Sequence, residues 1–89
     1  MHKITVMSKP NCHLCENAMK AVQGVVGQHI ACLIEEIDIT QDPDLLDKYH
    51  ADVPVIIVDG VERFRHVVDP DKLARLFYDE PGEGLLGLS

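Results

Sequence analysis

The residues of this chain with the clearest potential for chemistry are two cysteines, Cys12 and Cys15, which are separated by two residues. A thiolate is both a nucleophile and a metal ligand, so thiols at this spacing can form a disulfide with each other or share a metal ion. The spacing alone does not choose between these uses, because C-x-x-C is also half of many zinc sites. The chemistry therefore depends on where the pair lies in the fold.

The cysteine pair lies where a predicted strand is followed by a predicted helix. The β-rich run from Ile4 to Met7 ends at a turn cluster, residues 8–11, and a helical pattern begins at Cys12. Unpaired N–H groups and the positive end of the helix dipole favour a thiolate there, so we expect the pKa of Cys12 to lie below about 8.5, the value for free cysteine. Cys12 is the expected nucleophile. Cys15, one turn deeper on the apolar face, is placed to resolve a mixed disulfide.

The rest of the chain predicts strands and helices that would hold this segment. The first helix runs to about Gly27, and the later elements are a strand at 31–38, a helix at 43–49, strands at 53–58 and 61–67, and a helix at 70–78. The first two strands are predicted to be parallel because a helix connects them, whereas Asp59-Gly60 predicts a tight hairpin. Asp-Pro-Asp triplets predict the starts of the last two helices.

These elements predict an α/β fold of order β-α-β-α-β-β-α, with a four-stranded mixed sheet flanked by helices. Residues 1–78 would form the domain, and the Gly-rich residues 79–89 a flexible tail. Glu35 and Glu36 should point to opposite faces of a strand and form a solvated edge, not a shared proton site. Cys32, on the same strand, is interpreted as a small buried hydrophobe.

The net charge and the apolar runs of the sequence limit the classes of binding partner that we expect. The net charge is -7, from 15 acidic and 8 basic residues, and the bases are scattered, so neither nucleic acid nor a membrane is an expected partner. The longest apolar run, Val53 to Val58, is too short to span a bilayer, and the N-terminus lacks a signal-peptide hydrophobic region. We expect a cytoplasmic monomer. In that compartment three cysteines do not indicate a set of structural disulfides.

The predicted order of elements, with a cysteine pair opening the first helix and Val53-Pro54 opening the third strand, resembles the thioredoxin fold. The run Lys9-Pro10-Asn11-Cys12-His13-Leu14-Cys15 resembles glutaredoxins and small glutaredoxin-like proteins, and the resemblance covers about residues 3–78. It implies a cis bond before Pro54, which would leave the backbone of Val53 free to pair with an extended thiol substrate. It also implies that Lys9 meets a glutathione carboxylate and that Asp69 contributes to binding glutathione, a candidate co-substrate.

The sequence differs from glutaredoxins and thioredoxins in three features. The Gly-Gly turn of glutaredoxins is replaced by Val67-Val68, whose bulk hinders close approach of a tripeptide. The residues between the cysteines are His13-Leu14, not Pro-Tyr or Gly-Pro. A His13 cation would stabilise a thiolate at Cys12, although a positive charge is itself disfavoured at a helix N-terminus. Val6 occupies the position at which thioredoxins have a buried acidic residue.

The leading hypothesis is a dithiol oxidoreductase that reduces disulfides of proteins or small molecules, with Cys12 as nucleophile and Cys15 as resolving thiol. A reductase or glutathione would supply electrons, and no bound cofactor is expected. One alternative is metal or iron–sulfur cluster binding by the same cysteines. The chain has no second C-x-x-C, so a closed site would need a second copy or external thiols, and no metal ligands are assigned. The other alternative is a non-catalytic interaction module of the same fold.

Overall fold

One mixed sheet with helices on both faces forms the fold in this computed structural model, which describes residues 2–27 and 31–78. The elements are β1 (His2–Ser8), α1 (His13–Val26), β2 (Cys32–Asp38), a 3-10 turn (Ile39–Gln41), α2 (Pro43–Tyr49), β3 (Val55–Val58), β4 (Val61–Arg65) and α3 (Pro70–Tyr78). Their order confirms the predicted fold class. The predicted tail, residues 79–89, lies outside the described residues.

The strands lie in the order β2-β1-β3-β4. The β1–β2 pair is parallel, as the connecting helix predicted, and the β1–β3 and β3–β4 pairs are antiparallel. Because β1 is central, the cysteine pair follows directly from the middle of the sheet. Among the described residues, no helix is long and apolar enough to cross a membrane.

Two apolar clusters pack on opposite faces of the sheet. Alternate residues of β1 and β3 face α1 and α3 in the first cluster, which contains Ile4, Val6, Ala18, Val22, Val25, Ile56, Val58, Val68, Leu73 and Phe77. The other faces of β1 and β3 meet the segment from the 3-10 turn to α2 in the second cluster, which contains Met7, Cys15, Ile39, Tyr49, Val53 and Val55. Both faces of β3 are therefore covered, which explains its continuous apolar sequence.

The Asp-Pro-Asp triplets cap helices as predicted. Asp42 Oδ1 accepts hydrogen bonds from the backbone N–H groups of Asp44 (2.9 Å) and Leu45 (3.4 Å) at the start of α2. Asp69 Oδ1 accepts from Asp71 (3.0 Å) and Lys72 (3.3 Å) at the start of α3. These bonds satisfy N–H groups that a helix start would leave unpaired, so both triplets fix helix positions.

The predicted strand ends were wrong by one to two residues. β2 begins at Cys32 rather than Ala31, and β3 begins at Val55 rather than Val53, because Pro54 has no N–H to donate to the ladder. β4 ends at Arg65 rather than Val67, since His66 adopts a φ of +67° and turns the chain toward α3. The two-residue hairpin was predicted correctly, with positive φ at Asp59 (51°) and Gly60 (86°).

Candidate active site

The turn between β1 and α1 places Cys12 at the N-cap of the helix. Asn11 adopts a φ of +59°, a left-handed conformation that asparagine tolerates better than most residues. Cys12 follows in an extended conformation, and its Sγ accepts a hydrogen bond from the backbone N–H of Cys15 at 3.2 Å. The Cys12 carbonyl accepts from the N–H of Glu16 at 3.1 Å. The sulfur therefore occupies the position that a serine or aspartate oxygen usually takes at a helix start.

Cys12 and Cys15 form a disulfide, with their Cα atoms 5.2 Å apart. This separation is within the usual range for a disulfide, about 4.4–6.8 Å. Cys12 is half-buried, whereas only 4% of Cys15 is exposed. A molecule approaching from solvent therefore meets the Cys12 sulfur first, and the predicted difference in burial between the two thiols is confirmed.

Val53 and Pro54 pack beside the cysteine pair. Val53 is buried in the same apolar cluster as Cys15, and the Val53-Pro54 bond is cis, as the resemblance implied. The Pro54 carbonyl accepts a hydrogen bond from the His66 N–H at 2.8 Å. Within residues 2–27 and 31–78, no backbone hydrogen bond uses the N–H or the carbonyl of Val53. Those two polar groups are therefore free to pair with another backbone.

A groove with charged residues in its lining runs from the cysteine pair along α1, and we call it the α1 groove. Its volume is about 530 Å³, and it is lined by Lys9, Pro10, Asn11, Cys12, Cys15, Glu16, Met19, Lys20, Gln23 and Glu36. Two lysines and two glutamates in this set give the groove charges of both signs. The structure thus brings Lys9, a predicted binding residue, to the same cavity as the cysteine pair.

Sequence reasoning missed most of the α1 groove. Met19 and Gln23 follow Cys15 at four-residue intervals, and Lys20 follows Glu16 at the same interval. Residues at this spacing lie on one helix face, so counting down the helix from each groove residue would have found these three. No comparable signal pointed to Glu36, because its place depends on how β2 pairs with β1.

Glu36 makes a different contact from its neighbour Glu35. Glu35 forms an ion pair with Lys3 Nζ at 3.0 Å, whereas Glu36 Oε2 accepts a hydrogen bond from Ser8 Oγ at 3.0 Å. The prediction that these carboxylates do not share a proton site is confirmed. The prediction of a solvated strand edge is also confirmed, since both glutamates are exposed on the edge strand β2, and Glu36 lines the α1 groove. Its strand partner is Val6, the position of thioredoxin's acid in the resemblance.

A smaller cavity lies on the other side of the cysteine segment, and we call it the Val67 notch. Its volume is about 110 Å³, and it is lined by Leu14, Asn17, Ala18, His66, Val67 and Val68. Leu14 is 45% exposed and Val67 is 66% exposed, whereas Val68 is buried. Of the two valines that replace the Gly-Gly turn, Val68 therefore packs in the core and Val67 lies on the surface.

Besides Val53 and Pro54, two further predicted site residues line neither cavity. Asp69 uses its carboxylate to cap α3, and it lines neither the α1 groove nor the Val67 notch. His13 is exposed at the first position of α1 and also lines neither cavity. The predicted roles of Asp69 and His13 in substrate binding stay predictions. In the structure, the Asp69 carboxylate contacts the backbone N–H groups at the start of α3.

The third cysteine lies at the opposite end of the sheet. Cys32 pairs with His2, the first residue of β1, whereas Cys12 lies beyond the last residue of β1. At about 3.3 Å per residue, the length of β1 separates the two sites by about 20 Å. Cys32 is half-buried, and burial raises the pKa of its thiol, with the negative charge of Asp59 adding to that rise.

Thiolates are also metal ligands, which is the alternative use of Cys12 and Cys15 that the sequence left open. In the part of the chain that the structure describes, no group of three or more His, Cys, Asp and Glu side chains is arranged to hold a metal ion. The described residues therefore add no ligand to the Cys12–Cys15 pair.

The mixed four-stranded sheet, with a C-x-x-C disulfide at the start of its first helix and a cis-proline before its third strand, defines a thioredoxin-fold protein. The chain belongs to the Glutaredoxin-like domain (DUF836) family, whose family model matches residues 3–77. It is 35% identical over 81 residues to the Glutaredoxin-like protein YDR286C homolog of Dictyostelium discoideum, covering 85% of this chain and 72% of that protein.

Solved structures show the same fold. Protein XcR50 from X. campestris superposes with a TM-score of 0.65 at 26% identity, over 88% of this chain and 99% of that chain. Protein Ne2328 from Nitrosomonas europaea superposes with a TM-score of 0.71 at 23% identity, over 85% of this chain and 91% of that chain. A mutant thioredoxin from Halobacterium salinarum gives 0.63 at 20% identity, over 88% and 73%.

Proposed function

We propose that this protein is a dithiol oxidoreductase that reduces disulfides through Cys12 and Cys15. The observation that carries the proposal is the bonded sulfur pair at the N-terminus of α1, in which the outer sulfur accepts a helix N–H and the inner one is buried. A helix N-terminus favours the thiolate, which is the form that attacks a disulfide. The arrangement therefore supplies an accessible nucleophile and a second thiol within bonding reach.

The reaction proceeds by two exchanges from the reduced dithiol form. The Cys12 thiolate attacks one sulfur of the substrate disulfide, a Cys12–substrate disulfide forms, and the other substrate sulfur leaves as a thiolate that takes a proton from water. The Cys15 thiol then loses its proton and attacks Cys12 Sγ, which releases the second substrate thiolate. The substrate gains two electrons, and the protein is left with the Cys12–Cys15 disulfide. Two external thiols, or one external dithiol, return the two electrons and are themselves oxidised to a disulfide.

The surroundings of the pair suit a substrate with an extended backbone. The N–H and carbonyl of Val53 make no backbone hydrogen bond to another described residue, and Val53 packs in the same cluster as Cys15, so a substrate backbone can pair there while its sulfur reaches Cys12. Pairing of this kind gives affinity through main-chain hydrogen bonds, which do not depend on the substrate's sequence. Disulfides within peptides or proteins are therefore the substrates that this site favours.

Glutathione is proposed as a reductant and not as the preferred disulfide partner. Lys9 lies in the α1 groove beside the pair, where its charge can attract a carboxylate. The Asp69 carboxylate, however, caps α3, and Val67 stands where glutaredoxins have a glycine. The bulk of Val67 therefore alters one of the contacts that the resemblance implies for the tripeptide, whereas the capping role of Asp69 does not decide its predicted contact.

The test is reduction of insulin disulfides with dithiothreitol as electron donor. Cys12→Ser should reduce the rate to that of dithiothreitol alone, because Cys15 is buried and cannot replace the outer sulfur. Reduced Cys15→Ser, mixed with insulin in the absence of dithiothreitol, should accumulate a mixed disulfide at Cys12, visible as added mass that a reductant removes. Cys32→Ser is the matched control and should keep the parent rate. Equal rates for Cys12→Ser and the parent would reject the proposal.

A further inference from the structure

Two consecutive residues where β4 ends, Arg65 and His66, hold the loop that leads into β3, and we call them the β4 clamp. The His66 N–H donates a hydrogen bond to the Pro54 carbonyl at 2.8 Å. The ring nitrogen Nε2 of His66 lies 3.2 Å from the Ala51 carbonyl oxygen, and because a carbonyl can only accept, Nε2 is the donor. Arg65 Nη1 pairs with Asp52 Oδ2 at 3.0 Å.

Val53 differs from these neighbours in the loop. Its N–H and carbonyl make no backbone hydrogen bond to another described residue. Its side chain is nonetheless fixed, since Val53 is 6% exposed and packs in the same apolar cluster as Cys15. The β4 clamp therefore holds the chain on both sides of Val53, and the polar backbone groups of Val53 remain able to pair with a second backbone.

The backbone of His66 has a conformation that fits this role. His66 adopts a φ of +67°, in the left-handed region that costs free energy for a residue with a Cβ. β4 ends one residue earlier, so this conformation does not serve the strand ladder. It occurs in the residue whose N–H and ring reach Pro54 and Ala51 on the two sides of Val53. A costly backbone conformation at a candidate site indicates a functional constraint.

The contacts of the β4 clamp are too exposed to add much to the stability of the fold. The side chains of Arg65, Asp52 and His66 are 46%, 35% and 50% exposed, and exposed ion pairs contribute little to the free energy of unfolding. They do limit the conformations open to the loop. A loop that is already held in its binding conformation loses less entropy on binding than one that the ligand must order. The benefit of the clamp should therefore appear in substrate affinity.

We propose that Arg65 and His66 are positioning residues, which fix the loop so that the N–H and carbonyl of Val53 can pair with the backbone of a peptide disulfide. The inference rests on the proposed oxidoreductase function and assigns two further residues to it. Both residues act through Val53 and take no part in the exchange of electrons. Loss of either should lower kcat/KM for a peptide disulfide by about fivefold, the effect of one hydrogen bond.

The experiment uses two peptides that have the same sequence and each contain one disulfide. In the second peptide both residues that flank the cysteine are N-methylated, so they cannot donate a backbone hydrogen bond to the Val53 carbonyl. The kcat/KM of each peptide is measured relative to that of hydroxyethyl disulfide, a small neutral disulfide without a peptide backbone. Both values come from one protein sample, so their ratio does not depend on how much of a variant is folded.

The variants are His66→Gly, which keeps the left-handed backbone and removes the ring, and Arg65→Gln. In both, the relative kcat/KM of the unmethylated peptide should fall about fivefold, through a higher KM with kcat within about twofold of the parent. The methylated peptide should react more slowly with the parent and lose less than about twofold in either variant. Arg63→Gln, which changes another exposed arginine of β4 identically, is the matched control and should keep the parent values.

Other outcomes separate this inference from the function on which it rests. Equal rates for the two peptides in the parent, an unchanged relative kcat/KM in both clamp variants, or equal losses for the two peptides would overturn the inference while leaving an oxidoreductase. A loss in Arg63→Gln as large as that in Arg65→Gln would also overturn it, because net charge would then explain the effect. If the parent reduces none of the three disulfides, the proposed function itself is rejected.

Discussion

The two ends of β1 carry cysteines in opposite environments. Beyond its C-terminal end, Cys12 caps a helix, accepts a backbone N–H and is open to solvent on one side. At its N-terminal end, Cys32 lies in a strand, where burial and the charge of Asp59 raise the pKa of its thiol. The same residue type therefore lies in an environment that favours the thiolate at Cys12, and in one that favours the neutral, packed thiol at Cys32. Position relative to a helix start, and not the presence of a thiol, makes the difference.

The largest expected effect concerns the reactivity of the two thiols themselves. In a Cys15→Ser background, which keeps Cys12 and Cys32 reduced and separate, iodoacetamide at pH 7 should alkylate Cys12 at least about tenfold faster than Cys32. The reason is that each unit of pKa changes the thiolate fraction by about tenfold in this range. Peptide mass analysis of timed samples measures both rates in one tube. Equal rates would favour the non-catalytic interaction module over the proposed enzyme.

A second prediction concerns the turns that follow the two central strands, β1 and β3. Asn11, before Cys12, has a φ of +59°, and Gly60, in the hairpin at the Cys32 end, has a φ of +86°. Because glycine and asparagine adopt this left-handed conformation at lower cost than alanine, Asn11→Ala and Gly60→Ala should each lower the free energy of unfolding by about 1 kcal/mol. Urea unfolding measures the change. Asn11→Gly is the matched control and should be tolerated. Equal loss in Asn11→Gly and Asn11→Ala would refute the role of backbone conformation.

A smaller effect is expected from charge in the α1 groove. Lys9→Gln should slow the reaction with glutathione disulfide, which carries carboxylates, by about two- to fivefold, the effect of one exposed ion pair. Hydroxyethyl disulfide carries no charge and should react at an unchanged relative rate. Added salt should reduce the difference, because exposed charges are screened. Lys72→Gln, on α3 and outside the groove, provides the comparison. An equal loss with both disulfides would contradict an electrostatic role for Lys9.

The smallest effect belongs to the Cys32 end, where Asp59 holds β1 against the hairpin. Hydrogen bonds from His2 and from the Lys3 N–H lower the pKa of the Asp59 carboxyl. Since this pKa is lower in the folded state, the stabilisation is present above the unfolded pKa, near 3.9, and is lost as pH falls through the folded value. Asp59→Asn should therefore make stability less dependent on pH below about 4. Urea midpoints at pH 3 and 5 measure this, and the disulfide reductase rate should not change.

Much of the fold followed from local signals in the sequence. The bounds of α2 and α3 matched their predictions, 43–49 and 70–78, because Asp and Pro fix a helix start by capping and by a preset φ. The position of Cys12 could be predicted for the same kind of reason, since a turn cluster separates a strand pattern from a helix pattern. These features depend on neighbours in the sequence and not on the packing of distant elements.

The surfaces beside the disulfide could be predicted only in part. Lys9 is three residues from Cys12 and was identified, but Glu36 enters the α1 groove through the pairing of β2 with β1. Val67 was noticed as a steric change, yet its meeting with Leu14 depends on how the turn before α3 packs against α1. Register and packing between distant segments set these contacts, and no single pattern along the chain records them.

The hydrogen bond from the Cys15 N–H to Cys12 Sγ means that one atom both caps α1 and takes part in the disulfide. A thiolate accepts such a bond more strongly than a disulfide sulfur does, because ionised acceptors form stronger hydrogen bonds. Reduction should therefore tighten the first turn of α1, and oxidation should loosen it. By linkage, a change that stabilises the first turn of α1 also favours the reduced form of the cysteine pair. The stability of this helix end therefore contributes to the driving force for electron transfer.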